Sequence, residues 1–293
     1  MKFFSTKENI LKTEFLTLLQ ITSATGESIF KAIGDFFANI KVDLANCIGF
    51  GSDGASNVRG AHNFVLSCLK NISPGITFIK CTCHSLALCA EYAFKKLPSN
   101  LDYMLAEVAR WFKCSTLRRE DFQAVFNAMN DEYIHPTKFI TPSTTRWLVK
   151  GKCIFSILSQ WHELTAYFSV INEKDRNYHA RVLNEMLADS RNFLYLTFVL
   201  PIIQDFEKVN SAFQATNADL AKVFEDLRQL HKSLLIRIYV GGSSESDLLP
   251  LEKIDFGVKF EQEVKKAQLS QEDIHDMKIR CGGFLIACQS SNS

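Results

Sequence analysis

Three short runs in this sequence carry residue types that could do chemistry. The first is G-F-G-S-D-G-A-S-N at 49–57. An apolar stretch ends there in Asp53, with Gly51, Gly54 and Asn57 around it. A carboxylate at the carboxyl end of a strand, followed by glycine, is where open α/β sheets place ligands, and such an Asp commonly holds a divalent cation. The glycines would let the backbone turn. The competing reading makes Asp53 a turn residue that caps the helix after it. The second run is Cys81-Thr82-Cys83-His84, in which Cys81 and His84 have the spacing of half a zinc site, or are a strand–helix junction with thiols turned inward. The third is T-P-S-T-T-R-W at 141–147. It delivers Arg146 and Trp147 side by side, a phosphate clamp next to a base-stacking ring, or a Trp that anchors a helix in the core.

These residues need elements to hold them. Residues 1–4 form an apolar stub, 7–9 a turn and 13–21 a strand-like run. A helix start at 23–27 leads into an amphipathic stretch over 29–40. Residues 46–52 and 76–81 read as buried strands, with helical stretches at 56–69 and 84–97 and a Pro74-Gly75 loop. The order is β-turn-β-α-β-α-β-α, an α/β layer with flanking helices. After Pro98 strand signals vanish. Helical periodicity runs over 100–114, 119–130, 145–171, 176–188, 193–210 and 217–239. A Gly241–Ser244 linker and a closing helix pair at 257–267 and 270–287 follow. The expected fold class is therefore α/β plus all-α, divided into 1–98 and 99–293.

Composition narrows the function classes. The 293 residues are 47% hydrophobic and 22% charged, with 24 Phe, enough apolar material for a sizeable core and unlike a disordered chain. Net charge is +1, but residues 1–150 hold 17 basic and 13 acidic side chains and residues 151–293 hold 16 and 19, a split of +4 against −3. The basic front half hints at a polyanion partner. Nine Cys without a secretory leader point to reduced thiols, and the apolar run at 193–203 is too short for a bilayer. No membrane contact is expected. Phosphate-loop, dinucleotide and nucleophile-elbow motifs are absent, so no small-molecule substrate is expected either. Lys95-Lys96 and Arg118-Arg119 are too short for a nuclear signal or a polybasic patch.

In order, the runs at 42–57 (V-D-L-A-N-C-I-G-F-G-S-D-G-A-S-N), 81–88 (C-T-C-H-S-L-A-L) and 144–147 (T-T-R-W) resemble the transposase domain of the hAT superfamily. The likeness is to its domesticated zinc-finger-BED and SCAN-domain-containing forms. Residues 256–262 and 269–274 look like that family's late helical segment. The resemblance implies an RNase H-like core, a mixed sheet with flanking helices, interrupted by a large helical insertion that ends before a dimerisation segment. It also implies Asp-Asp-Glu chemistry on two Mg or Mn ions, a nuclear location (cytoplasmic otherwise), and DNA or a transposase-like chain as partner. Asp53 matches the second acid, with Cys81 and His84 beside it. Arg146 and Trp147 match the pair that opens the insertion and handles a flipped base.

The match carries departures. The family's first Asp sits on a first, central strand, and residues 1–98 look like a core lacking that strand. Asp35 falls in a helix and Asp43 in the loop before the Asp53 strand, and no Glu here matches the third acid. One carboxylate cannot hold two ions for an in-line displacement, so the expectation is a domesticated or decayed transposase chain that binds without cutting. The first β-ribbon would close directly on the Asp53 strand, or a partner would fill the gap, with an aggregation-prone chain as the consequence. Two other readings stay open. One is a metal-dependent nuclease that draws a second acid from Asp43 or Glu91 or from elsewhere. The other is a helical interaction scaffold.

Overall fold

The computed structural model describes residues 2–53, 64–131, 133–142, 149–174, 177–215, 219–243 and 246–289. Two units divide between Cys81 and Thr82. In the first, β1 (Lys2–Ser5) and β2 (Ile10–Thr13) form an antiparallel hairpin with Ser5 opposite Ile10. Its turn closes through Asn9 at φ 54°, a left-handed conformation that Asn tolerates. The strand expected at 13–21 lies at Ile10–Thr13 instead. The register pairs Thr13 with Lys2, and no described strand lies beside residues 14–21, where Phe15 and Leu18 are exposed. A strand forms only where a neighbour takes its backbone hydrogen bonds.

Helix α1 (Gly26–Asn39) starts at Thr25, whose hydroxyl accepts from the Ser28 N–H at 3.3 Å. Strand β3 (Gly49–Ser52), helix α2 (Val65–Ile72) and strand β4 (Thr77–Lys80) make a parallel crossover unit, with Gly49 opposite Thr77 and Ser52 opposite Lys80. Val65, Leu69 and Ile76 form this unit's core with Phe30, Ile33 and Phe50 packed against them. The strands were expected to be buried and are half-buried. Phe50 and Phe78 sit on the covered face, while Ile79 on the other is 64% exposed and Ile48, just before β3, is 86% exposed. A parallel pair is buried on both sides only when helices cover both faces. Among the described residues β1–β2 and β3–β4 are two separate sheets, so the first ribbon does not pair with the Asp53 strand.

The second unit is helical: α3 (Thr82–Phe94), α4 (Asn100–Lys113), α5 (Thr116–Met129), α6 (Lys150–Leu158), α7 (Trp161–Lys174), α8 (Tyr178–Ala188), α9 (Ser190–Gln214), α10 (Leu220–Ile238), α11 (Val258–Lys266) and α12 (Gln271–Ala287). Ser115, Asn177, Asp189, Asp219 and Ser270 each accept a backbone N–H at a helix start, which explains why boundaries read from sequence land close to those observed. Helix α9 is the axis. Leu194, Leu196, Phe198, Val199, Ile202, Ile203 and Phe206 are all buried, against α3, α6, α10, α11 and α12. Helix α3 packs on α9 and α12, so the boundary expected at 98/99 falls at 81/82.

The single helix expected over 145–171 has residues 145–148 outside the described residues, and the rest of it is two helices. Gln160 is buried at the break, where its amide donates to the carbonyls of Ser156 at 2.7 Å and Thr137 at 2.8 Å. A side chain that takes a helix carbonyl competes with the backbone ladder and ends it. Among the described residues no single helix is long and apolar enough to cross a membrane. The α8–α9 pair, bent by 70°, passes by length and composition, but its apolar residues fill the core.

Candidate functional site

The crossover unit brings two of the sequence candidates together. Asp53 follows β3 directly and Cys81 follows β4 directly. The strands run parallel, so both lie at the same, carboxyl end of the pair. There the Cys81 N–H donates to the Ser52 carbonyl at 2.7 Å. This is the end at which parallel sheets expose ligand-binding loops. Asp53 is exposed.

The other candidates separate. Asp43 precedes β3 and so lies toward its amino end, where its carboxylate caps the turn Leu44–Asn46 through the Ala45 N–H at 2.9 Å. Glu91 belongs to α3 and pairs with Lys95 at 3.2 Å, one turn on. Asp35 is exposed on α1. Gly51 has ordinary strand geometry, and an added Cβ would meet only the Ile79 carbonyl at 3.7 Å, a normal contact. The turn-permitting role expected of it is therefore not required by the backbone. His84 is exposed in the first turn of α3 and Cys81 belongs to the strand unit. Cys89 turns inward instead, its thiol reaching the Cys288 carbonyl at 3.1 Å. Gly54, Asn57, Arg146 and Trp147 lie outside the described residues.

Two Mg or Mn ions need several converging carboxylates. Among the described residues no three His, Cys, Asp or Glu side chains gather as a metal site. The residues described here therefore do not fit the two-ion centre.

A feature that the sequence reading passed over lies in the helical unit, where α4 turns into α5. Arg110 and Lys113 occupy the last turn of α4, and Ser115 caps α5. Arg118 folds back, its guanidinium 3.5 Å from the centre of the Trp111 ring and its Nη1 donating to the Trp111 carbonyl at 3.5 Å. Arg119 donates to the Phe112 carbonyl at 3.2 Å. Both arginines meet the unsatisfied carbonyls and negative end of α4, an arrangement that fixes them in place. The pair Arg118-Arg119 is too short to stand out in the sequence, but the helix reversal gathers it with Arg110 and Lys113 at one corner.

The segment that leads toward Arg146 and Trp147 is fixed to this corner. Thr137 is held by Gln160, and Phe139 stacks on Phe112 with ring centres 4.6 Å apart. Beyond the undescribed residues, Lys150 is buried against the Asp102 carboxylate and lies 3.8 Å from the centre of the Phe94 ring. Burial lowers its pKa, and Asp102 opposes that. The Gly151 N–H donates to Glu207 Oε1 at 3.1 Å.

The family model described as the ZMYM1/FAM200 RNase-like domain (DUF4371) matches residues 1–63. That stretch contains β1, β2, α1, β3 and Asp53. The match fits a transposase-derived, RNase H-like domain. No solved structure matches the chain.

Proposed function

We propose that this chain is a domesticated transposase-derived protein of the hAT type that binds nucleic acid without cutting it. The observation that carries the reading is Asp53 at the carboxyl end of a parallel strand pair, inside the stretch matched by an RNase-like domain. In such a domain that position belongs to a cation-binding carboxylate, whereas the described residues supply no cluster able to hold an ion. Binding then falls to the cationic corner of the helical unit and to Arg146 and Trp147. The reading carries a nuclear location with it, and places DNA ahead of a transposase-like chain as partner.

The test uses the full chain with supercoiled plasmid in Mg²⁺ or Mn²⁺, alongside binding of labelled DNA at several salt concentrations. The expected result is no nicking and an affinity that falls steeply with salt. Metal-dependent nicking that Asp53→Ala abolishes would overturn the loss of catalysis. Salt-independent affinity, or none, would overturn nucleic-acid binding and favour the helical scaffold.

A further inference from the structure

Between α4, α5 and the segment 136–141 lies an open cavity of about 620 Å³. Its apolar floor is Phe112, Phe122 and Phe139, with Phe122 and Phe139 ring centres 5.5 Å apart. Among the described residues Lys113, Arg119 and Lys138 line it, and no acidic side chain does. Three cations around an aromatic floor fit a ligand that is flat and apolar in one part and anionic in another. A base with its flanking phosphates has that chemistry. Aromatic rings accept any base through its face, and lysine and arginine hold phosphate without regard to sequence.

The charge does not stop at the cavity. On the other side of the same corner a second cleft, about 190 Å³, is lined by Arg110, Arg118 and His179. Among the described residues its one acid is Glu107, which is buried and meets Arg110 at 3.4 Å and His179 Nδ1 at 3.1 Å. The cations thus run around the α4–α5 corner from one cleft into the next. A free nucleotide would use one cleft. An extended polyanion uses both.

We propose that the α4–α5 corner is a docking site for single-stranded nucleic acid, with one base over Phe139 in the larger cavity and the phosphates following Lys138, Lys113 and Arg119 toward Arg118. The proposal rests on the nucleic-acid reading above and assigns it to particular side chains. Arg118 and Arg119 are held by backbone carbonyls and so present their charge in fixed positions, which lowers the ordering cost of binding. Lys113 and Lys138 are exposed.

The experiment is anisotropy titration of the full chain with a labelled oligothymidine, comparing the wild type with Lys113→Glu/Lys138→Glu. Both lysines are surface residues whose replacement leaves the Phe cluster intact, which a thermal melt checks. The expected result is at least a tenfold loss of affinity in the double variant. Its salt slope should be shallower by about 1.4, from ~0.7 per phosphate lost on a single strand. Lys113→Arg/Lys138→Arg should restore wild-type binding. Equal binding by wild type and Glu variant would overturn the placement at this corner, while leaving nucleic-acid binding by the chain standing. No oligothymidine binding beside tight duplex binding would overturn the single-strand assignment. Displacement of the oligonucleotide by thymidine monophosphate at similar concentration would overturn the extended site in favour of a nucleotide pocket. Failure of the wild type to bind any nucleic acid, with capture of an acidic, Phe-rich peptide at the same lysines, would overturn both readings in favour of a protein partner.

Discussion

The Gly151 N–H donates to Glu207 Oε1 at 3.1 Å, and a Cβ on Gly151 would stand 2.6 Å from that same oxygen. Glu207 on α9 therefore caps the first turn of α6 only because residue 151 has no side chain. Replacing Gly151 with Ala gains up to ~1 kcal/mol of helix propensity and pushes the carboxylate off the cap, worth about 1 kcal/mol. The two effects nearly cancel, so Gly151→Ala alone should leave stability within about 1 kcal/mol of wild type. Glu207→Ala should cost about 1–2 kcal/mol, and adding Gly151→Ala to it should then stabilise. A double-mutant cycle by urea denaturation checks this, and simple additivity would sink it.

The same pair gives a pH dependence. Burial raises the Glu207 carboxyl above its ordinary value of 4.5, against the pull of the Gly151 N–H. A carboxyl with a raised folded pKa binds protons more readily in the folded state. Its contribution is fully present below pH 4.5 and is lost as the pH rises through the folded value. Glu207→Gln should flatten the stability–pH curve just above pH 4.5, seen as melting temperatures that vary less with pH there than in the wild type.

Lys150 and Asp102 are unequal partners. Lys150 is 8% exposed, whereas the Asp102 side chain is 56% exposed. Removing Asp102 leaves a buried ammonium with less compensation, while removing Lys150 leaves a carboxylate that water can solvate. Asp102→Ala should therefore cost about 1–3 kcal/mol, and Lys150→Met should lie between neutral and about 1 kcal/mol stabilising. Chemical denaturation of both variants reads the asymmetry directly. Equal losses would show that the ion pair itself, rather than desolvation, sets the balance.

Phe198 is 1% exposed and meets Phe256, Phe260 and Phe284 edge-on at 6.1, 5.7 and 5.6 Å. One ring on α9 thus joins α11, α12 and the approach to α11. Phe198→Ala should cost about 3–5 kcal/mol and Phe198→Leu distinctly less, since leucine refills most of the volume. A loss below about 1 kcal/mol for the alanine variant would show that these helices do not share one core.

How much of this was legible in the sequence follows from the range of the forces involved. Helix positions were readable because caps such as Asp189 and Ser270 act within one turn of the residues they serve. The meeting of Asp53 and Cys81 was implied only by the family resemblance, and the parallel pairing of β3 with β4 is what brings it about. Strand burial was not readable, because Ile48 and Ile79 are covered or exposed according to which layers arrive from elsewhere in the chain. The break at Gln160 was hidden by unbroken helical periodicity, since it depends on a bond to Thr137, 23 residues earlier. The cationic corner was hidden for a similar reason. Arg110 and Lys113 end one helix, Arg118 and Arg119 begin the next, and Lys138 comes from a segment with no regular structure.

Burial also sets the order in which the thiols react. Cys114 is exposed, whereas Cys281 and Cys288 are buried and held well above the ordinary thiol range by desolvation. Burial pushes Cys153 up to about 11, so roughly one Cys153 in a thousand is ionised at pH 8. Alkylation proceeds through the thiolate and requires access. With iodoacetamide at pH 8 under native conditions, Cys114 should be modified first, and Cys153, Cys281 and Cys288 only at the rate of unfolding. Mass spectrometry of timed digests reads each site. Denaturant below the unfolding midpoint should accelerate the three buried sites together, because Cys281 and Cys288 belong to one core and Cys153 is buried on α6 next to Ile154 of that core. Fast modification of Cys281 alone would instead show that α12 opens from α9 before the rest of the helical unit.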